Sequence, residues 1–223
     1  VGLKLKEVEE IEKYWLKRPI EWLIDNVSLN KNWCLIHCTQ MSNKEAKRLA
    51  QTGVTIGLCP ITEANLGDGI FNGKTWLKLG GEFGIGTDSN VSISLFGELK
   101  MLEYSQRLSQ KSRLTMKMDE NLSIGRQLFA KILKGGATAA GRESGLIEKG
   151  YLGDILALDL SSMHYSHLKS DEKLNYLIFS ETKNVIDSVF AAGRHVVKNG
   201  QHYRRKEICS AYKQALAELS GRL

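Results

Sequence analysis

With 223 residues, 42% of them hydrophobic and 25% charged, the chain has the composition of a soluble globular protein and is long enough to bury a core in one or two domains. No apolar run approaches the ~20 residues that cross a bilayer, and the opening VGLKLKEVEE has no apolar signal segment, so a cytoplasmic protein without a membrane partner is expected. The net charge of +6 is spread along the chain, HYRRK at 202–206 excepted. Aromatics do not interleave with basic residues as on a single-strand nucleic-acid platform, so no nucleic-acid partner is expected.

Leu5, Val8, Ile11 and Trp15 recur at spacings of three and four, with Glu and Lys between them, which predicts a helix. KRP ends it at Pro19, and proline suits the first turn of a second short helix over 20–25. WCLIHCT (33–39) predicts a strand buried on both faces. Ser42 and Glu45 then have capping-box spacing, and Gly53 is a stop signal, so a helix lies between them. VTIGLCP (54–60) reads as a second buried strand. A glycine-rich polar loop through ITEANLGDGIFNG and a short helical stretch around Trp76 lead to a third strand, EFGIG. Leu95, Leu99, Leu102 and Leu108 mark a helical face, and NLSIGRQLFAKILKGGATAAG supplies one or two helices more.

This alternation predicts an α/β fold of parallel β/α units over residues 1–150. Each strand ends in a polar cluster: His37-Cys38-Thr39, then Pro60 to Asn65, then Thr87 to Asn90. Parallel α/β folds gather their active-site residues at such carboxyl ends. Beyond Gly150 the texture changes. GYLGDILALDL predicts a strand, and KNVIDSVFAAGRHVVKNGQHY predicts two strands around a turn at KNGQ. Residues 151–205 therefore read as a small β addition and 206–223 as an amphipathic helix.

Five histidines are available for chemistry: His37, His164, His167, His195 and His202. His37 stands at the carboxyl end of the first strand. HYSH (164–167) has an i,i+3 spacing, but no carboxylate partner has a clear place in that polar loop. His195 and His202 flank the hairpin and read as surface or packing residues. Cys34, Cys38, Cys59 and Cys209 form no CxxC pair and read as small buried thiols. Asp88 ends the third strand, where a buried carboxylate is costly without a partner. The residues alone leave open whether it caps the helix beginning near 92–95, sits in a turn, or serves chemistry.

LIHCTQM, GLCPITEANLGDGIF, GGEFGIGTDSNVSISLFGELKMLEYSQRL and GATAAGRESG…IEKGYLGDILALD together resemble the amidohydrolase superfamily, and more narrowly its formimidoylglutamate deiminases, from about residue 6 to about residue 205. CPITEANLGDGIF is the most specific piece, whereas GTDS is shared with many amidohydrolases. The resemblance implies that residues 1–150 are the C-terminal part, about the last three β/α units, of a (β/α)8 TIM-like barrel, and that 151–205 are strands of a small β-sandwich domain. It implies hydrolytic deamination of N-formimino-L-glutamate to N-formyl-L-glutamate and ammonia, in histidine degradation, with one divalent metal, usually zinc, at the carboxyl face of the barrel. Asp88 matches the eighth-strand metal ligand, which also accepts the water proton. His37 matches the sixth-strand histidine that polarises the attacking water or the intermediate. Pro60 to Gly69 match the loop after the seventh strand, which would bring Glu63 and Asn65 toward the substrate. The partner implied is this small-molecule substrate, whose two carboxylates call for arginines that the family supplies from loops outside this chain. A homodimer is the assembly allowed for.

The sequence contains no HxH pair, which the family places on its first strand. VGLK stands where the fifth-strand histidine, and a glutamate three residues after it, are expected. Three β/α units do not close a barrel that takes eight strands and typically ~250 residues. A catalytic zinc takes at least three protein ligands, more than Asp88 and His37 supply. The chain is therefore expected to be the C-terminal part of a deiminase-like enzyme and to lack deiminase activity alone. Two other readings stay open. One is a superfamily deaminase acting on a nucleobase or a guanidine, against which TEANLGDG argues. The other is a non-catalytic half-barrel completed by a partner.

Overall fold

Helix α1 (Leu5–Trp15) and helix α2 (Pro19–Asn26) open the chain, and proline at the start of α2 occupies a position where no helical hydrogen bond is lost. Trp15 and Trp22 stack at 4.3 Å and join the two. The computed structural model describes residues 4–180 and 185–221. They divide into two compact units, 1–146 with 168–181, and 147–167 with 182–223.

The first unit is built on a parallel sheet of β1 (Cys34–Ile36), β2 (Thr55–Leu58) and β3 (Glu82–Ile85), in that order. Leu35 pairs with Ile56 and Ile56 with Phe83. The strands are shorter than the apolar runs that announce them. Strand β1 is not buried on both faces: Leu35 is buried, but Ile36 is 44% exposed. Helix α3 (Asn43–Ala50) carries the capping box expected of Ser42 and Glu45: the Ser42 oxygen accepts from the Glu45 N–H at 3.2 Å, and the Glu45 carboxylate accepts from the Ser42 N–H at 2.9 Å.

Residues 61–66, read from sequence as loop, belong to a helix, α4 (Pro60–Leu66). Proline at its first position and left-handed Gly67 at its end punctuate it. Helices α5 (Gly73–Lys78), α6 (Leu95–Gln110), α7 (Ile124–Ala140) and α8 (Ser170–Phe179) complete the unit. The segment around Gly135 is one unbroken helix, and α8 lies within the stretch that the sequence assigns to strands. Trp76, Phe83, Leu49, Ile56, Leu58, Leu99, Leu102 and Leu128 form the fully buried centre.

The tightest packing in this unit is backbone on backbone. A Cβ on Gly135 of α7 would lie 1.9 Å from the Phe83 carbonyl oxygen of β3, and one on Gly84 would lie 3.2 Å from the backbone of Gly136. Glu82 receives Lys134 at 2.7 Å and Lys131 at 3.3 Å, one helical turn apart on α7.

The second unit holds an antiparallel sheet of β4 (Ile155–Leu158), β5 (Ile186–Ala191), β6 (Arg194–Lys198) and β7 (Gln201–His202), followed by α9 (Arg205–Ser220). The KNGQ turn joins β6 to β7. The longer hairpin, β5 to β6, turns at Ala192-Gly193, both left-handed at φ 49° and 77°. Alanine gives no turn signal, so the sequence reads two strands where there are three. No helix among the described residues is long and apolar enough to cross a membrane.

Replacing Gly135 with alanine forces its methyl into a carbonyl that cannot move without shifting β3. The expected loss is about 3 kcal/mol, the upper part of the overpacking range, read as a lowered urea midpoint with an unchanged m-value. A midpoint equal to wild type would show that α7 does not rest on β3 as described.

Candidate active site

The carboxyl ends of the three parallel strands lie side by side. The His37 N–H donates to the Gly57 carbonyl at 2.8 Å and the Gly86 N–H to the Leu58 carbonyl at 2.9 Å, so pairing continues one residue past the end of β1 and of β3. The backbone then turns sharply. His37, Cys38 and Asp88 are left-handed, at φ 71°, 52° and 50°. This conformation costs an L-residue roughly 1–2 kcal/mol, and such strain concentrates at functional sites.

The turn sets the His37 ring between two carboxylates. Nδ1 lies 3.2 Å from Glu63 Oε1, and Nε2 lies 3.8 Å from Asp88 Oδ2. Glu63 belongs to α4, and its Oε1 also accepts the Cys59 N–H at 2.9 Å. Helix α4 is tied down twice more. The Ile61 N–H donates to Glu98 Oε2 of α6 at 2.8 Å, and Thr62 Oγ1 donates to the Thr87 carbonyl at 2.8 Å.

Asp88 lies in a turn closed by the Asn90 N–H on the Thr87 carbonyl at 3.1 Å. It does not cap α6: Ser94 does, its oxygen accepting from the Gly97 N–H at 3.1 Å. The Asp88 side chain is 41% exposed and that of His37 13%, so the aspartate stands at the mouth and the histidine behind it.

Among the described residues, His37, Cys59 and Asp88 form one group whose candidate ligand atoms all lie within 4.8 Å of one another. Imidazole, thiol and carboxylate are zinc donors, and three protein ligands is the number of a catalytic site. Burial, and then the charges of Glu63, Asp88 and Glu98, push the Cys59 thiol up to about 12, so it would ligate only once a cation displaced its proton. The sequence reading takes Cys59 as a small buried thiol and gives it no part in the site. Its position one residue past β2, as His37 is one past β1, is the signal that marks it.

The remaining candidates lie elsewhere. Asn65 is exposed and outside the cluster, whereas Glu63 is part of the site. His164 and His167 lie in or beside a 3-10 turn (Met163–Tyr165) of the second unit, outside the His37 group. His195 stacks on Phe190 at 4.3 Å and His202 against Tyr203 at 4.6 Å, as packing residues do. All four cysteines are free, and Cys209 is exposed rather than buried.

Acidic groups dominate this end of the sheet. Burial pushes the carboxyls of Glu63 and Glu98 upward. Asp68 is buried, and neither of its carboxylate oxygens has a hydrogen-bond partner among the described residues.

The Amidohydrolase family profile matches residues 10–196. The chain belongs to the amidohydrolase family. As an amidohydrolase it is 39% identical, over 214 residues, to the formimidoylglutamate deiminase of Pseudomonas aeruginosa, covering 96% of this chain and 47% of that protein. It is 29% identical to the 5-methylthioadenosine/S-adenosylhomocysteine deaminase of Pyrococcus furiosus, over 88% of this chain and 45% of the relative. Among solved structures, an amidohydrolase from Brucella melitensis superposes with a TM-score of 0.92 at 42% identity, over 98% of this chain and 48% of that one. An adenosine deaminase from Xanthomonas campestris with bound zinc superposes with a TM-score of 0.86 at 20% identity, over 99% of this chain and 50% of that one, a likeness of fold alone. The chain thus has an amidohydrolase-type α/β fold and spans about half the length of the curated relatives it matches.

The buried acids make a pH prediction. Glu98 holds its proton above the ordinary value of 4.5 in the folded state. The folded chain then binds more protons than the unfolded one between that value and the raised one, so stability falls as pH rises through this window. Urea midpoints of a Glu98→Gln variant are expected to fall less steeply there than those of wild type. Parallel pH profiles would exclude Glu98 as a contributor.

Proposed function

We propose that the protein is a metal-dependent hydrolytic deaminase, that this chain contributes His37 and Asp88 to its active site, and that the substrate is N-formimino-L-glutamate. The observation that carries this reading is the approach of His37 Nε2 to Asp88 Oδ2 at 3.8 Å across neighbouring strand ends. The Pseudomonas aeruginosa relative, at 39% identity over nearly all of the chain, supports the amidine substrate over a nucleoside. The three parallel strands would be the last of a (β/α)8 barrel and the antiparallel sheet part of a small β-sandwich. The Brucella melitensis amidohydrolase supports this, because the chain covers 48% of it at a TM-score of 0.92.

Asp88 would hold the metal, with Cys59 and His37 as further donors within reach. A divalent cation held there would lower the pKa of a water toward neutrality. Asp88, half-exposed at the mouth, is placed to take the proton of that water. The water oxygen bonds to the formimino carbon, and the C=N electron pair moves to nitrogen. His37 faces the reacting centre, and its ring nitrogen on the side of Asp88 is placed to accept a hydrogen of the attacking oxygen and so orient it. The proton held by Asp88 passes to the nitrogen, the remaining hydroxyl proton follows through the same carboxylate as the C=O bond forms, the C–N bond breaks, and ammonia leaves N-formyl-L-glutamate.

The test is a chimera in which this chain replaces the matching segment of the Pseudomonas aeruginosa deiminase. It is expected to release ammonia from N-formimino-L-glutamate and not from 5-methylthioadenosine; preference for the nucleoside would overturn the substrate. His37→Ala or Asp88→Asn in the chimera is expected to lower kcat by about 100-fold or more. With no HxH pair in its sequence, the isolated chain is expected to release no ammonia. Activity of the chain alone would refute the need for ligands beyond it.

A further inference from the structure

We infer that Glu63 is a positioning residue that holds His37 as its Nδ1–H tautomer and leaves Nε2 bare on the side of Asp88. Its bearing on catalysis rests on the deaminase reading; the tautomer itself does not.

The argument turns on one oxygen. Glu63 Oε1 lies 2.9 Å from the Cys59 backbone nitrogen, which can only donate. Oε1 accepts there, and an oxygen of the Glu63 carboxylate can only accept in its second contact too. The same Oε1 lies 3.2 Å from His37 Nδ1. Two acceptors do not bond, so Nδ1 carries the hydrogen. A neutral imidazole has one N–H, and Nε2 is left with its lone pair. At 3.8 Å from Asp88 Oδ2, Nε2 is then free to receive a hydrogen from a group lying between them.

The brace is stiff. Glu63 is 4% exposed, and α4 is anchored on either side of it through Ile61 to Glu98 and through Thr62 to Thr87. The backbone of His37 and Cys38 is left-handed at both residues. Such a turn leaves the ring to be oriented by what it touches, and the buried contact is Glu63. In metal sites, partners that orient a functional histidine matter 10–100-fold when removed.

Long-range proton–nitrogen NMR of the isolated, labelled chain tests this with neither substrate nor metal, so its failure is separate from failure of the deaminase assignment. Chelator is present, and His37→Gln assigns the signals. The expected spectrum has a pyrrole-like Nδ1 and a pyridine-like Nε2. Glu63→Gln, whose amide oxygen can accept both N–H groups, is expected to keep that pattern, and Glu63→Ala is expected to lose it toward a mixture of tautomers. In the chimera, Glu63→Ala is expected to lower kcat by about 10–100-fold, with Glu63→Gln restoring most of it. A pyridine-like Nδ1 in wild type would overturn the inference, as would a Glu63→Ala spectrum identical to wild type. If Glu63→Ala does not fold, the wild-type spectrum still decides.

Discussion

One carboxylate oxygen, Glu63 Oε1, accepts both the Cys59 N–H and the His37 ring, and the rest of the site is arranged around that shared contact. It bridges the ends of two adjacent strands through a third element, α4. A seven-residue helix has no stability of its own in water. Helix α4 persists because the Ile61 N–H, the Thr62 hydroxyl and the Glu63 carboxylate are each bonded outside it or back to its entrance. Burying Glu63 is unfavourable, as its upward-shifted carboxyl shows, and two donors on one oxygen offset part of that cost. The site is thus held by polar contacts inside an otherwise apolar unit.

The apolar unit does its part through β3. Gly135 lets the α7 backbone rest on the Phe83 carbonyl, and Gly84 lets β3 approach the backbone of Gly136. The two lysines on Glu82 fix how far along the strand the helix sits, although exposed ion pairs of this kind add little stability themselves. Asp88 follows the end of β3 within three residues. Its distance from His37 is therefore set by packing at Phe83 and Gly84 on one side and by the Thr62–Thr87 bond on the other.

What could be read from sequence was what is local. Ser42 and Glu45 are three residues apart, and their capping box is visible as spacing. His37 and Asp88 are visible as polar residues closing apolar runs. Helix α4 was hidden because seven residues are too few to show a helical period and its support comes from Glu98, 37 residues away from Ile61. The partnership of Glu63 with His37 spans 26 residues, and no periodicity encodes it. The β5–β6 turn was hidden because Ala192 takes a left-handed conformation that its side chain does not favour. Roles for His37 and Asp88 came from family resemblance. Spacing leaves Asp88 open between a helix cap, a turn and a reacting group; Ser94 holds the cap, and Asp88 lies in a turn.

The charge balance of the strand ends says what they are built to receive. The charges of Glu63, Asp88 and Glu98 all act on Cys59, and that of Asp68 acts on Glu63. Four carboxyl groups in one neighbourhood, with the imidazole of His37 between two of them, are unfavourable unless positive charge enters. On the proposed reading a divalent cation at Asp88 would supply it, and an amidine carbon attached to a protonatable nitrogen would suit the same field. A glutamyl group does not: its two carboxylates would be repelled here and need cationic partners beyond these strand ends. In the proposed substrate the reacting carbon and the recognised carboxylates are therefore served by opposite electrostatics, and this chain carries the acidic half.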